Sequence, residues 1–262
     1  LPGLMLAAIL SIPLAVVAGI FCGRILNRAK GREMVTSLVL GFFAKGIYEL
    51  IVLFGMGPKS IIPVNSPDLV LSRGYGGRNA VSLIEVRGAL DQMILLNVGG
   101  IQIPLGTYLV IALFGALIVW FRKTKMGQDM RAVSQSMPLA QAAGINVNRT
   151  RMIAIVMSTV LGAFGQLIYL QNMGTLSTYN SQDQAAMYAI AALLVGGASV
   201  SRATLVNAVV GVLLFHILFF SAPMAGKAIL GTAEVGEYFP GFVAYLVTPP
   251  ALFLPACRRR RP

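Results

Sequence analysis

Charge is scarce in this chain and acid scarcer still: 11% of its 262 residues are charged, with nine carboxylates against 21 lysines and arginines. So few ionisable groups leave little from which to build an acid–base active site or to solvate a globular surface. A single histidine, His216, rules out an H-E-x-x-H zinc site, and no G-x-S-x-G nucleophile elbow occurs. The two cysteines, Cys22 and Cys257, each end an apolar stretch without metal-ligand or redox spacing and read as filler. A nucleotide-binding G-x-x-x-x-G-K-[ST] loop is missing too. Its nearest fragment, Gly226-Lys227-Ala228, has Ser221 where the first Gly belongs and Ala where the hydroxyl is needed. No catalytic residue, cofactor or metal ligand is expected in the chain itself.

What the chain has in quantity is apolar length. Hydrophobic residues make up 56% of it and the mean hydropathy is +0.77, more than a soluble globule of this size can bury. About 20 helical residues cross roughly 30 Å of hydrocarbon. Spans are predicted near 2–22, 34–56, 103–121, 152–171, 185–200, 205–221 and 239–256. The expected fold is all-α: a polytopic transmembrane helix bundle of about seven spans, forming a single domain over 1–262. The pair 185–200 and 205–221, with Gly196-Gly197 and the short Ser201–Thr204 link, equally suits a broken or re-entrant hairpin. Leu1 opens the chain in place of an initiator Met, and Leu1–Cys22 is uncharged and too long for a signal-peptide core. The segment reads as a true span and the chain as a fragment of a longer protein.

A net charge of +12 in a soluble protein would suggest nucleic acid, but here the cations sit in the connections between spans. The 122–151 loop holds Arg122, Lys123, Lys125, Arg131, Arg149 and Arg151 against one acid, Asp129. The 23–33 loop holds Arg24, Arg28, Lys30 and Arg32, the tail Arg258–Arg261, and Arg202 joins them. The positive-inside rule places all of these on the cytoplasmic side, and no nucleic-acid partner is expected. The external side then carries Asp68, Glu85, Asp91, Asp183, Glu234 and Glu237, with the long loop 57–102. That loop is rich in Gly, Pro and Ser near its start and reads as irregular or short amphipathic structure: either a variable solvated loop or, in an importer, a cover for the outer mouth or a receiver for a delivery protein.

Inside the basic loop, Ser136 can N-cap a short helix, Pro138 fits its first turn and Gly144 can end it, which leaves Met137–Ala143 as about two turns. Its small apolar side chains have no core of their own, so the helix either packs on its own bundle or enters a partner's groove.

The run Gly127-Gln128-Asp129-Met130-Arg131-Ala132-Val133-Ser134, then Ala140, then Ala143-Gly144-Ile145-Asn146-Val147 before an apolar span, resembles the permeases of ATP-binding cassette importers for branched-chain amino acids, simple sugars and nucleosides. Weaker likeness extends over Arg32–Leu38 and Ala189–Ala198. The resemblance implies that the loop touches a cytoplasmic ATPase subunit, which binds the ATP, and that Arg131, Ser136, Ala140, Ala143 and Gly144 belong to the coupling region. It implies a second permease subunit, an extracytoplasmic solute-binding protein and residence in a bacterial or archaeal cytoplasmic membrane. Departures are Ser134 where the family has Gly, Ser136 where it has Asn, spans that relatives carry before the position of Leu1, and the Pro249-Pro250 and Arg258–Arg261 ending.

Polar groups within spans are the candidate pathway residues. Lys45 and Glu49 stand mid-span, four apart on one helical face, where each charge would cost about 2.5–3.5 kcal/mol unpaired at the bilayer centre, so they should pair and face the bundle interior. They make either a polar wall of the pathway or a structural ion pair. Gln166, Gln171, Asn172, Asn207 and His216 are either substrate contacts or interhelical glue. Ser181 with Gln184 has the form of a capping box, and Gly162, Gly165, Gly196, Gly197 and Gly211 suit close helix approach. The reading is a permease subunit for a simple sugar or nucleoside, branched-chain amino acids coming next. The alternative is an ion-coupled secondary transporter using Lys45, Glu49 and His216.

Overall fold

The structure is a computed structural model that describes residues 2–29, 31–72, 74–98, 101–199, 203–230 and 238. The apolar runs fold into helices α1 (Pro2–Arg28), α2 (Glu33–Phe54), α3 (Leu105–Lys123), α6 (Val147–Met173), α7 (Ser181–Val195) and α8 (Leu205–Leu230). The basic loop supplies α4 (Lys125–Gln135) and α5 (Met137–Ala142). Among the described residues five helices are long and apolar enough to cross a membrane: Pro2–Arg28, Glu33–Phe54, Leu105–Lys123, Val147–Met173 and Leu205–Ala225.

The sequence predicts seven spans, and the difference has two sources. The 185–200 segment is α7, whose 15 residues reach only about 22 Å at 1.5 Å per residue, short of the hydrocarbon core. The predicted span 239–256 lies outside the described residues, as do Lys30, Arg73, Arg202, Glu234, Glu237, Cys257 and the Arg258–Arg261 tail. The capping-box reading of Ser181 also needs correction: Asn180 occupies the N-cap position without a side-chain capping bond, and Ser181 is the first helical residue, buried.

The chain divides into two compact units at Tyr179/Asn180. In the first, α1 lies along α6. Its buried residues, Ala15, Gly19 and Gly23, recur every four positions and form one small-residue stripe. A Cβ on Gly19 would come within 2.9 Å of the Val156 Cα, so this seam exists only because the side chain is absent. The seam is a G-x-x-x-G, whereas Gly162 and Gly165, expected to permit close approach, have open space where a Cβ would stand. On the other flank of α6, Phe114 of α3 meets Phe164 with ring centroids 5.2 Å apart.

The two ends of this unit are built differently. At one, the α1–α2 turn lies against the start of α6, where Asn27 Nδ2 donates to the Asn148 carbonyl at 2.9 Å. At the other, β1 (Ala80–Ser82) pairs antiparallel with β4 (Thr175–Ser177), and β2 (Leu95–Val98) with β3 (Ile101–Pro104) forms a hairpin. The described residues of the 57–102 loop are thus largely irregular, with short strands and a 3₁₀ turn at Asp91–Met93. Beneath them Gln171, 1% exposed, closes a polar network. Its Nε2 donates to Thr107 Oγ1 (3.2 Å), which donates to Asp91 Oδ1 (2.5 Å), and its Oε1 accepts from the Leu90 amide (3.3 Å). The loop at Leu90 and Asp91 is tied there to α3 and α6.

In the second unit α7 and α8 form a helical hairpin. Gly196 and Gly211 leave no room for a Cβ at the crossing, as expected for them, and Ala191, Ala192 and Phe215 fill the contact with Tyr188 beside them. Elsewhere the long helices present Leu6, Leu14, Phe42, Phe54, Leu113 and Phe220 on open faces. Those faces suit hydrocarbon or a neighbouring helix.

Candidate functional site

The basic loop folds into a corner of two helices held by local chemistry at each joint. Thr124 is extended and its Oγ1 accepts from the Gly127 amide at 3.3 Å, which starts α4 one residue after α3 stops. Ser136 is extended in turn, and its Oγ accepts from the Leu139 amide at 3.4 Å, with Pro138 in the first turn of α5. At the other end of α5, Ile145 N–H donates to the Ala140 carbonyl and Gly144 N–H to the Gln141 carbonyl, both at 3.0 Å, with Gly144 at φ +81°. This is a Schellman ending, in which the left-handed residue is best a glycine. Asn146 then caps α6 through the Arg149 amide at 3.1 Å. Three caps and one glycine therefore define a short helix at fixed orientation, with the start that Ser136 predicts and an end one residue before the predicted Ala143.

The corner has a small core. Ala140, 3% exposed, packs between Val133 of α4 and Val147 of α6, with Ala132 and Ile145 around them. The outward side of α5 is different: Leu139 is 73% exposed, and Met137, Pro138, Ala142, Ala143 and Gly144 are open as well. Of the five residues placed in the coupling region, Ser136 and Gly144 shape the helix, Ala140 seats it, Ala143 lies on its open side and Arg131 is exposed on α4. The first option holds, since one face of the helix is packed on its own bundle, and the opposite face is open.

Beneath the corner, Arg151 gathers the neighbouring elements. Its Nη2 donates to Glu33 Oε1 at 3.0 Å and to the Leu26 carbonyl at 3.4 Å, and its Nη1 lies 3.9 Å from Met137 Sδ. Glu33 Oε2 accepts from the Gly31 amide at 2.9 Å. Counting charges in the sequence marks Arg151 only as a cytoplasmic cation, and Glu33 carries no motif that singles it out. A crevice of about 370 Å³ opens beside the pair between α2 and α6, lined mainly by Leu26, Met34, Ala154 and Ile155.

The candidate pathway residues are divided between the two units. Lys45 Nζ and Glu49 Oε1 pair at 3.8 Å as their spacing predicts, but α2 buries only Val52, so the pair is half-exposed and not enclosed by the chain's own helices. Gln166 is half-buried on α6 and Asn172 exposed in its last turn, while the neighbouring Gln171 is the buried amide. Asn207 and His216 belong to the second unit. Asn207 is structural glue there: its Nδ2 donates to the Gly196 carbonyl at 2.8 Å, and its Oδ1 accepts from the Thr204 amide (3.2 Å) and hydroxyl. His216 is exposed, with Nδ1 at 3.1 Å from the Val212 carbonyl of its own helix. Among the described residues no group of three or more His, Cys, Asp or Glu side chains is arranged to hold a metal.

Long apolar helices, a two-sided first unit and a capped corner at its basic end define a multi-pass membrane protein with a short helix whose outward side is open. Residues 1–248 match the family described as branched-chain amino acid transport system / permease component, and the chain belongs to that family. It is 32% identical over 142 residues to the xylose transport system permease protein XylH of Haemophilus influenzae, covering 54% of this chain and 36% of that one. It is 25% identical over 231 residues to the nucleoside ABC transporter permease protein NupB of Lactococcus lactis, covering 83% and 57%. To the galactose/methyl galactoside import permease protein MglC of Escherichia coli it is 29% identical over 121 residues, covering 45% and 35%. The matches thus span about a third to just over half the length of these curated relatives. No solved structure matches the chain.

Proposed function

We propose that this chain is part of the permease subunit of an ATP-binding cassette importer in a bacterial or archaeal cytoplasmic membrane. With a second permease subunit it lines a solute pathway; a cytoplasmic ATPase subunit binds and hydrolyses ATP, and an extracytoplasmic binding protein delivers solute. The carrying observation is α5: a helix of two turns, capped at both ends, seated through Ala140 and open along Met137–Leu139. An isolated helix this short does not persist in water. Its rigid presentation at the basic end of the bundle supports a docking role. The concentration of cations there supports a cytoplasmic position. The absence of a phosphate-binding loop in the sequence supports a partner as the site of ATP hydrolysis.

The relatives' names carry xylose, nucleosides and galactosides, which supports a simple sugar or a nucleoside as solute ahead of a branched-chain amino acid. The test is purification of the whole permease from its native membrane, followed by reconstitution and uptake of labelled xylose, galactose, uridine and leucine. An ATPase that co-purifies, with uptake requiring ATP, is the expected result. Uptake that survives removal of the ATPase and collapses with the proton gradient would transfer the chain to the ion-coupled secondary transporters.

A further inference from the structure

We propose that Arg151 and Glu33 form a mechanical link that makes the α1–α2 turn move with α5, carrying displacement of the docking helix into the foot of α2. The inference rests on the permease reading and names how that site transmits its motion. The guanidinium of Arg151 is on α6, yet it reaches three other helices: Leu26 in the last turn of α1, Glu33 at the first residue of α2 and Met137 at the first residue of α5. Glu33 uses its two oxygens separately, one for Arg151 and one for the Gly31 amide, so the ion pair and the turn share one carboxylate. Gly31 stands at φ +87°, a conformation that lets the turn close tightly over that carboxylate.

The arrangement suits transmission because, within this chain, α2 buries little of its length against the other helices. Val52, near its far end, is the one residue of α2 that is buried, while Met34, Val35, Leu38 and Phe42 are open. A helix with so little lateral packing responds to whatever holds its ends. A fork that binds carboxylate, carbonyl and thioether together is a property of arginine, whose planar donors point in fixed directions; a lysine ammonium would satisfy one or two of these partners. A second tie, from Asn27 to the Asn148 carbonyl, keeps α1 on α6, so the element free to follow α5 is α2. That helix also carries the Lys45–Glu49 pair.

The experiment is a distance measurement by pulsed electron resonance on the assembled transporter with its co-purified ATPase, carrying spin labels at exposed positions 141 on α5 and 35 on α2. Distances are compared between the nucleotide-free and ATP–vanadate-trapped states. In the otherwise unsubstituted protein the separation stays constant, because α5 and the foot of α2 move together. With Glu33→Gln, which keeps the side chain's shape and removes its charge, ATP hydrolysis persists and the separation shifts by about 2 Å or more between the states, the scale of helix displacements in switching proteins. Arg151→Lys gives a shift in the same direction. A separation that changes without any substitution, or one that stays constant in Glu33→Gln, overturns the link. Should no ATPase co-purify with the permease, the functional reading itself fails, which is a different result from either.

Discussion

Arg151 and Glu33 meet at 3.0 Å across 118 residues of sequence, at the end of the first unit where the cations are concentrated. Arg151 is largely buried and Glu33 about one-third exposed, so the pair gains more than a surface ion pair and less than an enclosed one. Glu33 also lies in the first turn of α2, where the helix dipole favours a carboxylate without any partner. The two residues are therefore not equivalent. Arg151→Met should lower stability by about 1.5–3 kcal/mol, the range for hydrogen bonds to charged groups, because three contacts are lost together. Glu33→Gln should cost less than half as much. Thermal unfolding of the purified permease in one detergent ranks them, and equal losses would show that the pair acts alone.

Gly144 provides a second test because its backbone lies at φ +81°, where an L side chain is strained. Gly144→Ala should cost about 1–2 kcal/mol at the corner, and Gly144→Pro, whose ring fixes φ near −65°, should unseat α5 altogether. Under the permease reading Gly144→Pro leaves the protein in the membrane but separates ATP hydrolysis from uptake. Membrane abundance and hydrolysis per solute transported distinguish that from failure to fold.

These residues also mark what is legible in the sequence. Ser136, Pro138 and Gly144 act on backbone groups within a few residues, so the ends of α5 follow from local chemistry. Thr124 caps α4 by the same chemistry, but α4 is polar and lies between apolar runs, so it reads as loop. The long apolar helices follow from length and composition, and the Lys45–Glu49 pair from its spacing. What sequence cannot carry is long-range partnership. Arg151 meeting Glu33, β1 pairing with β4, and Gln171 ending among Thr107 and Leu90 each depend on how helices stack. The small-residue stripe is present in the chain as Gly19-x-x-x-Gly23, yet nothing local distinguishes it from Gly162 and Gly165, which have open space around them.

That contrast among glycines is itself testable. Gly19→Val forces a side chain against the backbone of α6 and should destabilise the fold by about 1–3 kcal/mol through overpacking. Gly46 lies in the middle of α2 with nothing within 4 Å of the place a Cβ would take, so Gly46→Ala should be neutral or slightly stabilising through helix propensity. Unfolding temperatures of the two variants in the same detergent should move in opposite directions or differ clearly in size. If Gly19→Val unfolds with the parent protein, α1 and α6 do not share this seam.

Gln171 tests the other end of the unit. Gln171→Leu keeps the bulk and removes the amide, leaving the Leu90 N–H and the Thr107 hydroxyl without this partner in a buried site, at a cost of about 1–3 kcal/mol. Since the network joins the loop before α3 to the end of α6, protease cleavage within 83–98 should accelerate before the helices unfold. Unchanged cleavage would mean that the loop is held by its strands and not by the amide.

Leu139 and Ala140 are neighbours with opposite surroundings, and together they separate folding from docking. Ala140 sits in the Val133–Val147 contact, so Ala140→Leu adds bulk where there is none to spare and should disturb the corner by about 1–3 kcal/mol. Leu139 points away from it and is 73% exposed, so Leu139→Asp should leave thermal unfolding within about 0.5 kcal/mol of the parent. If α5 inserts into an ATPase groove, however, Leu139 is its largest open apolar side chain, and a carboxylate there must be desolvated without a partner. Capture of the ATPase on immobilised permease should then fall by about tenfold or more, the scale of a single interface anchor. Stable Leu139→Asp protein that retains full ATPase binding would mean that the open face of α5 is not the docking surface, whatever the helix looks like.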